Sequence, residues 1–304
     1  MITSDTFEKF TVFHDTDAYQ FKFITITADT FYADFSKYIL DFQMIKRHAN
    51  INLGIGEELS LQDYNNIYDR LINFIDFERI YDIASLDSAI IEILDNELIK
   101  DSELRRDKWG RIGEYIFNII LDSYFNLDCI IRKFALNTSR NMSVYGIDTV
   151  HCSLKDKTLY FGESKMVDSI ENGISLIKKS LASYEAQISE EYYTIKNNNF
   201  TRSDDFLNIF GDDLNHCLNF SSLIERTGIN KIGIPIFVSH GGTYKTEEVF
   251  LKMKTIKQVK MFGLDTIYYL ISVPVIDKER LRQAFVTEIR EKIKECEQCI
   301  MSKN

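Results

Sequence analysis

The chain has 304 residues, 45% hydrophobic and 13% aromatic, enough for one large core or two smaller ones and too apolar for a disordered chain. No apolar run is long enough to span a bilayer and the first residues lack the basic-then-apolar order of a secretory leader, so the expectation is a cytoplasmic protein whose five cysteines stay reduced. Residues 1–100 carry 8 Lys and Arg against 18 Asp and Glu, whereas residues 101–304 carry 28 of each, so the whole formal charge of −10 sits in the first third; the acidity argues against a polyanion partner, but the neutral remainder can still present a local basic groove.

Alternating apolar residues predict strands over 10–13 and 21–27. The helical spacing of Phe35, Tyr38, Ile39, Phe42 and Ile45 predicts a helix over 31–49 with its aromatic face in the core. A Ser60-x-x-Asp63 start signal opens a helix over 60–75, and Ile80, Ile83, Leu86, Ile90 and Leu94 predict another over 77–99. The charged stretch 100–108 then sets a soft boundary near residue 103. It divides an acidic α+β region, 1–103, from the remaining 104–304; that acidic region either docks a partner or presents a solvated surface.

Beyond the boundary the order is α-β-β-β-α-β. A helix over 109–125 precedes strands over 129–136, 143–152 and 158–165. One long helix over 168–193 follows, with Ile174, Ile177, Leu181, Tyr184 and Ile188 on one face. A polar stretch, 197–213, leads to a short helix over 214–227 and a strand over 231–239. A strand over 268–276 and a helix over 277–301 end the chain. Pro235 and Pro274 are the only prolines, and proline donates no ladder hydrogen bond, which predicts edge strands or bulges there. The fold class is mixed α/β, a central mixed sheet flanked by helices.

Glu163 and Lys165, two apart on a strand, project from one face. Asp148 lies on the preceding strand. Residues paired in a hairpin have a constant sum of positions, and pairing Asp148 with Glu163 centres the turn between Lys155 and Asp156, within the polar run Lys155-Asp156-Lys157. Two carboxylates facing each other at about 5 Å between Cβ atoms repel, and call for a shared proton or cation. Lys165 offsets part of the charge, and hard oxygen donors suit Mg2+ or Mn2+. Glu114, in Trp109-Gly110-Arg111-Ile112-Gly113-Glu114 at a helix start, is a third carboxylate whose place also suits a helix-dipole partner.

Glu114 on a helix, Gly146-Ile147-Asp148 on a strand and Gly162-Glu163-Ser164-Lys165 on the next resemble the PD-(D/E)xK nuclease superfamily over residues 105–240, with Ile147 where the family name has proline. The resemblance implies a restriction-endonuclease-like core that cuts DNA with Mg2+ or Mn2+. It implies Asp148, Glu163, the backbone carbonyl of Ser164 and Glu114 as metal ligands, with Lys165 orienting or deprotonating the attacking water. It also implies substrate contacts on the following helix, where Lys178, Tyr184 and Gln187 are the candidates, although the family order is Gln before Tyr.

More narrowly, an acidic N-terminal region ahead of Gly-x-x-Gly-Glu, Gly-Ile-Asp and Gly-Glu-Ser-Lys is similar to the HamA-like nuclease subunit of the Hachiman anti-phage defence system. That implies an antiviral effector restrained by a superfamily 2 helicase. With no Gly-x-x-x-x-Gly-Lys-Ser/Thr phosphate loop in the sequence, the ATPase is then another chain. Two other readings use the same residues: a catalytically silent scaffold that binds DNA or a protein, and a nuclease acting on RNA. Cys296-x-x-Cys299 has no second pair to complete a zinc site, and His240-Gly241-Gly242 reads as a loop after a strand.

Overall fold

The computed structural model describes residues 2–7, 10–15, 20–26, 31–46, 59–75, 109–110, 112–122, 125, 127–131, 147–153, 155–197, 211, 213, 216–256, 260–275 and 277–302. The expected helix over 77–99, the boundary near 103 and the expected strand residues 132–136 and 143–146 lie outside them.

The described strands are β1 Ile2–Phe7, β2 Phe10–Asp15, β3 Gln20–Ile26, β4 Asp128–Ile131, β5 Thr149–Ser153, β6 Thr158–Val167, β7 Lys231–His240 and β8 Asp265–Pro274. They form one sheet in the order β1-β2-β3-β8-β7-β6-β5-β4. β1, β2 and β3 are an antiparallel meander, and β3, β8, β7 and β6 run parallel. β5 and β4 return antiparallel. The direction of the sheet therefore changes at β6, which has a parallel neighbour on one side and an antiparallel one on the other.

Both faces of the sheet are covered over β4 to β8, as crossovers between parallel strands require. One face carries α1 Phe31–Ile39, α2 Leu61–Ile75, α3 (112–122) and, from the chain's end, Lys278–Met301; the other carries α4 Ile170–Leu181, α5 Tyr184–Asn197, α6 Phe220–Thr227 and α7 Thr246–Met253. Period 2 sorts the strand residues between them. Leu159, Phe161 and Val167 of β6 join the core under α4, while Tyr160 joins the one under α3. Helix starts follow the expected chemistry: Ser60 and Asp63 cap each other reciprocally ahead of α2, Ser169 caps α4, and Asn219 caps α6, which ends at Gly228 with φ 68°.

Three expectations give way. The helix expected over 31–49 stops at Ile39, because the Asp41 carboxylate accepts from the Gln43 N–H at 2.8 Å and starts a separate turn over 42–46. The helix expected over 168–193 is two, broken between Leu181 and Tyr184. Pro235 lies inside β7, which has strands on both sides, so it marks no edge.

The ladder shows how that proline is accommodated. β6 and β7 keep one register from Thr158 opposite Lys231 to Val167 opposite His240, but Phe161 and Gly162 form no pair opposite Ile234 and Pro235. In this register the Phe161 carbonyl would accept from the N–H of residue 235, which proline lacks. The Tyr184 hydroxyl donates to that carbonyl instead, at 3.1 Å. Gly162 is required for a different reason. A Cβ there would stand 2.4 Å from Thr149 Cγ2 and 2.7 Å from Phe117 Cε1, so its absence lets α3 lie close on the sheet.

Candidate active site

The β5–β6 hairpin has the register expected of it, from Thr149 opposite Gly162 to Ser153 opposite Thr158, and turns through 155–157 with Lys157 at φ 48°. The ladder ends one pair short of Asp148 and Glu163, so the two carboxylates are not a directly opposed pair. The Asp148 N–H instead donates to the Gly162 carbonyl at 3.1 Å, and Asp148 Oδ2 accepts from the Ser164 N–H at 2.6 Å and the Ser164 hydroxyl at 3.0 Å. The side chain thus continues the ladder where the backbone leaves it.

Glu163 and Lys165 share the α4 face of β6. Lys165 Nζ donates to Glu163 Oε1 at 2.6 Å, and Ser180 Oγ, from the last turn of α4, donates to the same oxygen at 2.7 Å. α4 can lie this close because Gly173, two turns before Ser180, has no Cβ; one would stand 2.5 Å from Val238 Cγ1. Glu163 is only 3% exposed. Burial, and then the charge of Asp148, raise its carboxyl pKa above the ordinary range, against the downward pull of Lys165 and Ser180. Burial pulls the Lys165 ammonium down, but Asp148, Glu163 and Glu114 outweigh it and hold its pKa above the ordinary value.

β5 is fixed behind this site by a buried polar chain. Thr149 Oγ1 donates to Asn118 Oδ1 at 2.5 Å and meets His151 Nδ1 at 3.0 Å, while Asn118 Nδ2 donates to the Glu114 carbonyl at 2.9 Å. Glu114 itself, partly buried on α3, reaches Lys165 only through its charge. Among the described residues, no three His, Cys, Asp or Glu side chains gather closely enough to hold a metal, so Glu114 does not join Asp148 and Glu163 in a three-carboxylate group.

Two carboxylates remain as donors. Asp148 Oδ1 and Glu163 Oε2 accept no hydrogen bond from the described residues, their partner oxygens being the ones engaged. Ser164 already turns its N–H toward Asp148, and the N–H and C=O of one strand residue point the same way. Its carbonyl therefore faces the Asp148 side. Two hard carboxylate oxygens and a carbonyl suit Mg2+ or Mn2+, which retain several waters of their own.

The expected substrate contacts divide. Lys178 is exposed and donates to Thr255 Oγ1 at 3.0 Å. Gln187 Nε2 donates to Ser183 Oγ at 2.9 Å and to the Ser180 carbonyl at 3.3 Å, bracing the break between α4 and α5. Tyr184 is 1% exposed and packs in the core, so it stands as a ladder partner and not at a substrate surface. Ser180 was not among the expected site residues. Its mark in the sequence is a polar side chain that prolongs the inward stripe of Ile170, Gly173, Ile174 and Ile177.

No helix among the described residues is long and apolar enough to cross a membrane. No curated protein and no solved structure matches the chain. The family model for HamA matches residues 14–289, from within β2 to within the last helix, and so takes in the whole of the site described above. The chain belongs to the HamA family, a component of the Hachiman anti-phage defence system.

Proposed function

We propose that this chain is a metal-dependent DNA nuclease, the effector of its defence system, restrained by a superfamily 2 helicase partner. The observation that carries the reading is the Lys165 ammonium on the buried Glu163 carboxylate at 2.6 Å, two residues apart on one strand, with Asp148 held beside them by Ser164. Asp148 and Glu163 would hold Mg2+ or Mn2+ through their disengaged oxygens, together with the Ser164 carbonyl. When bound, such a cation polarises a phosphate and lowers the pKa of a coordinated water. Lys165, donating to Glu163 beside the two disengaged carboxylate oxygens, is placed to orient the attacking water and to balance the phosphate charge. Membership of the HamA family supports the defence role, and the missing phosphate loop leaves ATP hydrolysis to a partner.

The test is cleavage of DNA and RNA in parallel, with and without the partner subunit. Asp148→Ala and Glu163→Ala should abolish metal-dependent cleavage and Lys165→Ala should reduce it by about 10²–10³-fold, each variant unfolding cooperatively like the wild type. Equal cleavage by wild type and all three variants would remove the assignment. Cleavage of RNA alone would change the substrate and keep the site. Metal binding with neither polymer cut, partner present, would favour a silent scaffold.

A further inference from the structure

We infer that Ser180 is a positioning residue that fixes which oxygen of Glu163 is offered to the cation. The inference deepens the nuclease reading and rests on it. Glu163 Oε1 takes two donors, Ser180 Oγ at 2.7 Å and Lys165 Nζ at 2.6 Å, which leaves Oε2 without a hydrogen bond from the described residues. A carboxylate turns easily about its last torsion, which is broad and two-fold, so its two oxygens exchange unless something holds one of them. Lysine alone holds it loosely, because a rotating ammonium on a four-carbon stem follows whichever oxygen turns toward it. A serine hydroxyl on a helix, one torsion from the backbone, does not follow.

Ser180 is itself held from several directions. Gln187 donates to its carbonyl, and α4 is seated on the sheet through Gly173. Just across the helix break, Tyr184 donates to the carbonyl of Phe161, two residues before Glu163 on the same face of β6. Strand and helix are therefore joined at Phe161 and again at Glu163, one bond from each side of the break. The break gives both side chains access to one strand, which accounts for its place in a segment whose apolar pattern is continuous.

The experiment titrates Mn2+ alone into the full chain by calorimetry, with thermal unfolding alongside. Asp148→Ala should abolish binding. Ser180→Ala should weaken it about tenfold, the scale of losing a side chain that orients a metal ligand, while the variant still unfolds cooperatively. Ser180→Thr keeps the hydroxyl and should bind within about threefold of wild type. In cleavage assays Ser180→Ala should raise the Mn2+ concentration needed for half-maximal rate more than it lowers the rate at saturating metal. If Ser180→Ala binds Mn2+ as wild type does while Asp148→Ala does not, the role of Ser180 is overturned and the nuclease reading stands. Equal losses in Ser180→Ala and Ser180→Thr overturn it too, since packing and not the hydroxyl would then matter. Wild-type binding by Asp148→Ala overturns both.

Discussion

Tyr184 donates its hydroxyl to the Phe161 carbonyl at 3.1 Å, where the ladder opposite Pro235 has no N–H to give. A phenol from a helix thus replaces a backbone donor in the middle of a sheet. Tyr184→Phe leaves a buried carbonyl unsatisfied and should lower the unfolding free energy by about 1–3 kcal/mol. Pro235→Ala restores an N–H at that point, so Tyr184→Phe should cost clearly less in the Pro235→Ala background. Denaturant unfolding of the four proteins measures this coupling. Strictly additive costs would mean that phenol and proline are unrelated.

Glu163→Gln should stabilise the fold while it destroys the site. Below its ordinary value of 4.5, Glu163 is protonated in the folded and unfolded chain alike. Its folded pKa is raised, chiefly by burial, so stability is lost as pH climbs through that raised value and the buried carboxylate ionises. The glutamine variant escapes this loss. Its thermal midpoint should pull above that of wild type on going from acid to neutral pH, and midpoints that stay together across the range would refute the claim.

In the metal-free chain Lys165 should stay charged at neutral and mildly alkaline pH. Its pKa lies above the ordinary 10.5, so the charged form persists until pH rises past that raised value. Lys165→Ala should reduce the rate by about 10²–10³-fold, as expected for removal of one preorganised donor. A limb in the pH–rate profile well below 10.5 that disappears in Lys165→Ala would instead make the lysine a proton acceptor.

Gly162→Ala should be costly beyond its size. The added methyl would lie 2.4 Å from Thr149 Cγ2 and 2.7 Å from the ring of Phe117, which is fully buried and stacked on Phe237. Overpacking of this kind costs about 1–3 kcal/mol. Because Thr149 adjoins Asp148, weaker Mn2+ binding should accompany the lower midpoint. A variant with wild-type stability would show that α3 does not press on the strand.

The centre of the site was legible because its parts are local. Glu163 and Lys165 share a strand, and pairing Asp148 with Glu163 under the constant-sum rule for hairpins gave the observed register of β5 and β6, with its turn at Lys155-Asp156-Lys157. What escaped depends on distant partners. Pro235 suggested an edge because its substitute donor, Tyr184, belongs to another element. The break after Leu181 carries no glycine or proline; it is held by Ser180, Ser183 and Gln187, which look like surface residues of a continuous helix. β1, Ile2-Thr3-Ser4-Asp5-Thr6-Phe7, has apolar residues only at its ends and therefore no alternation to detect. Glu114 came to notice through its place in a pattern, but pattern says nothing of how far its carboxylate stands from the other two.

The parallel pairing of β3 with β8 determines what can be cut away from this protein. β8 has a bonded neighbour on each side, and one of them comes from the first residues of the chain. Removing everything before residue 104 would strip β1, β2 and β3 and turn β8 into a rim. Its exposed row of N–H and C=O groups would be a template for another molecule's strand, the usual start of edge-to-edge aggregation. The remaining two thirds of the chain, which bear the catalytic candidates, would then stay dispersed only while the excised meander remained bound along β8.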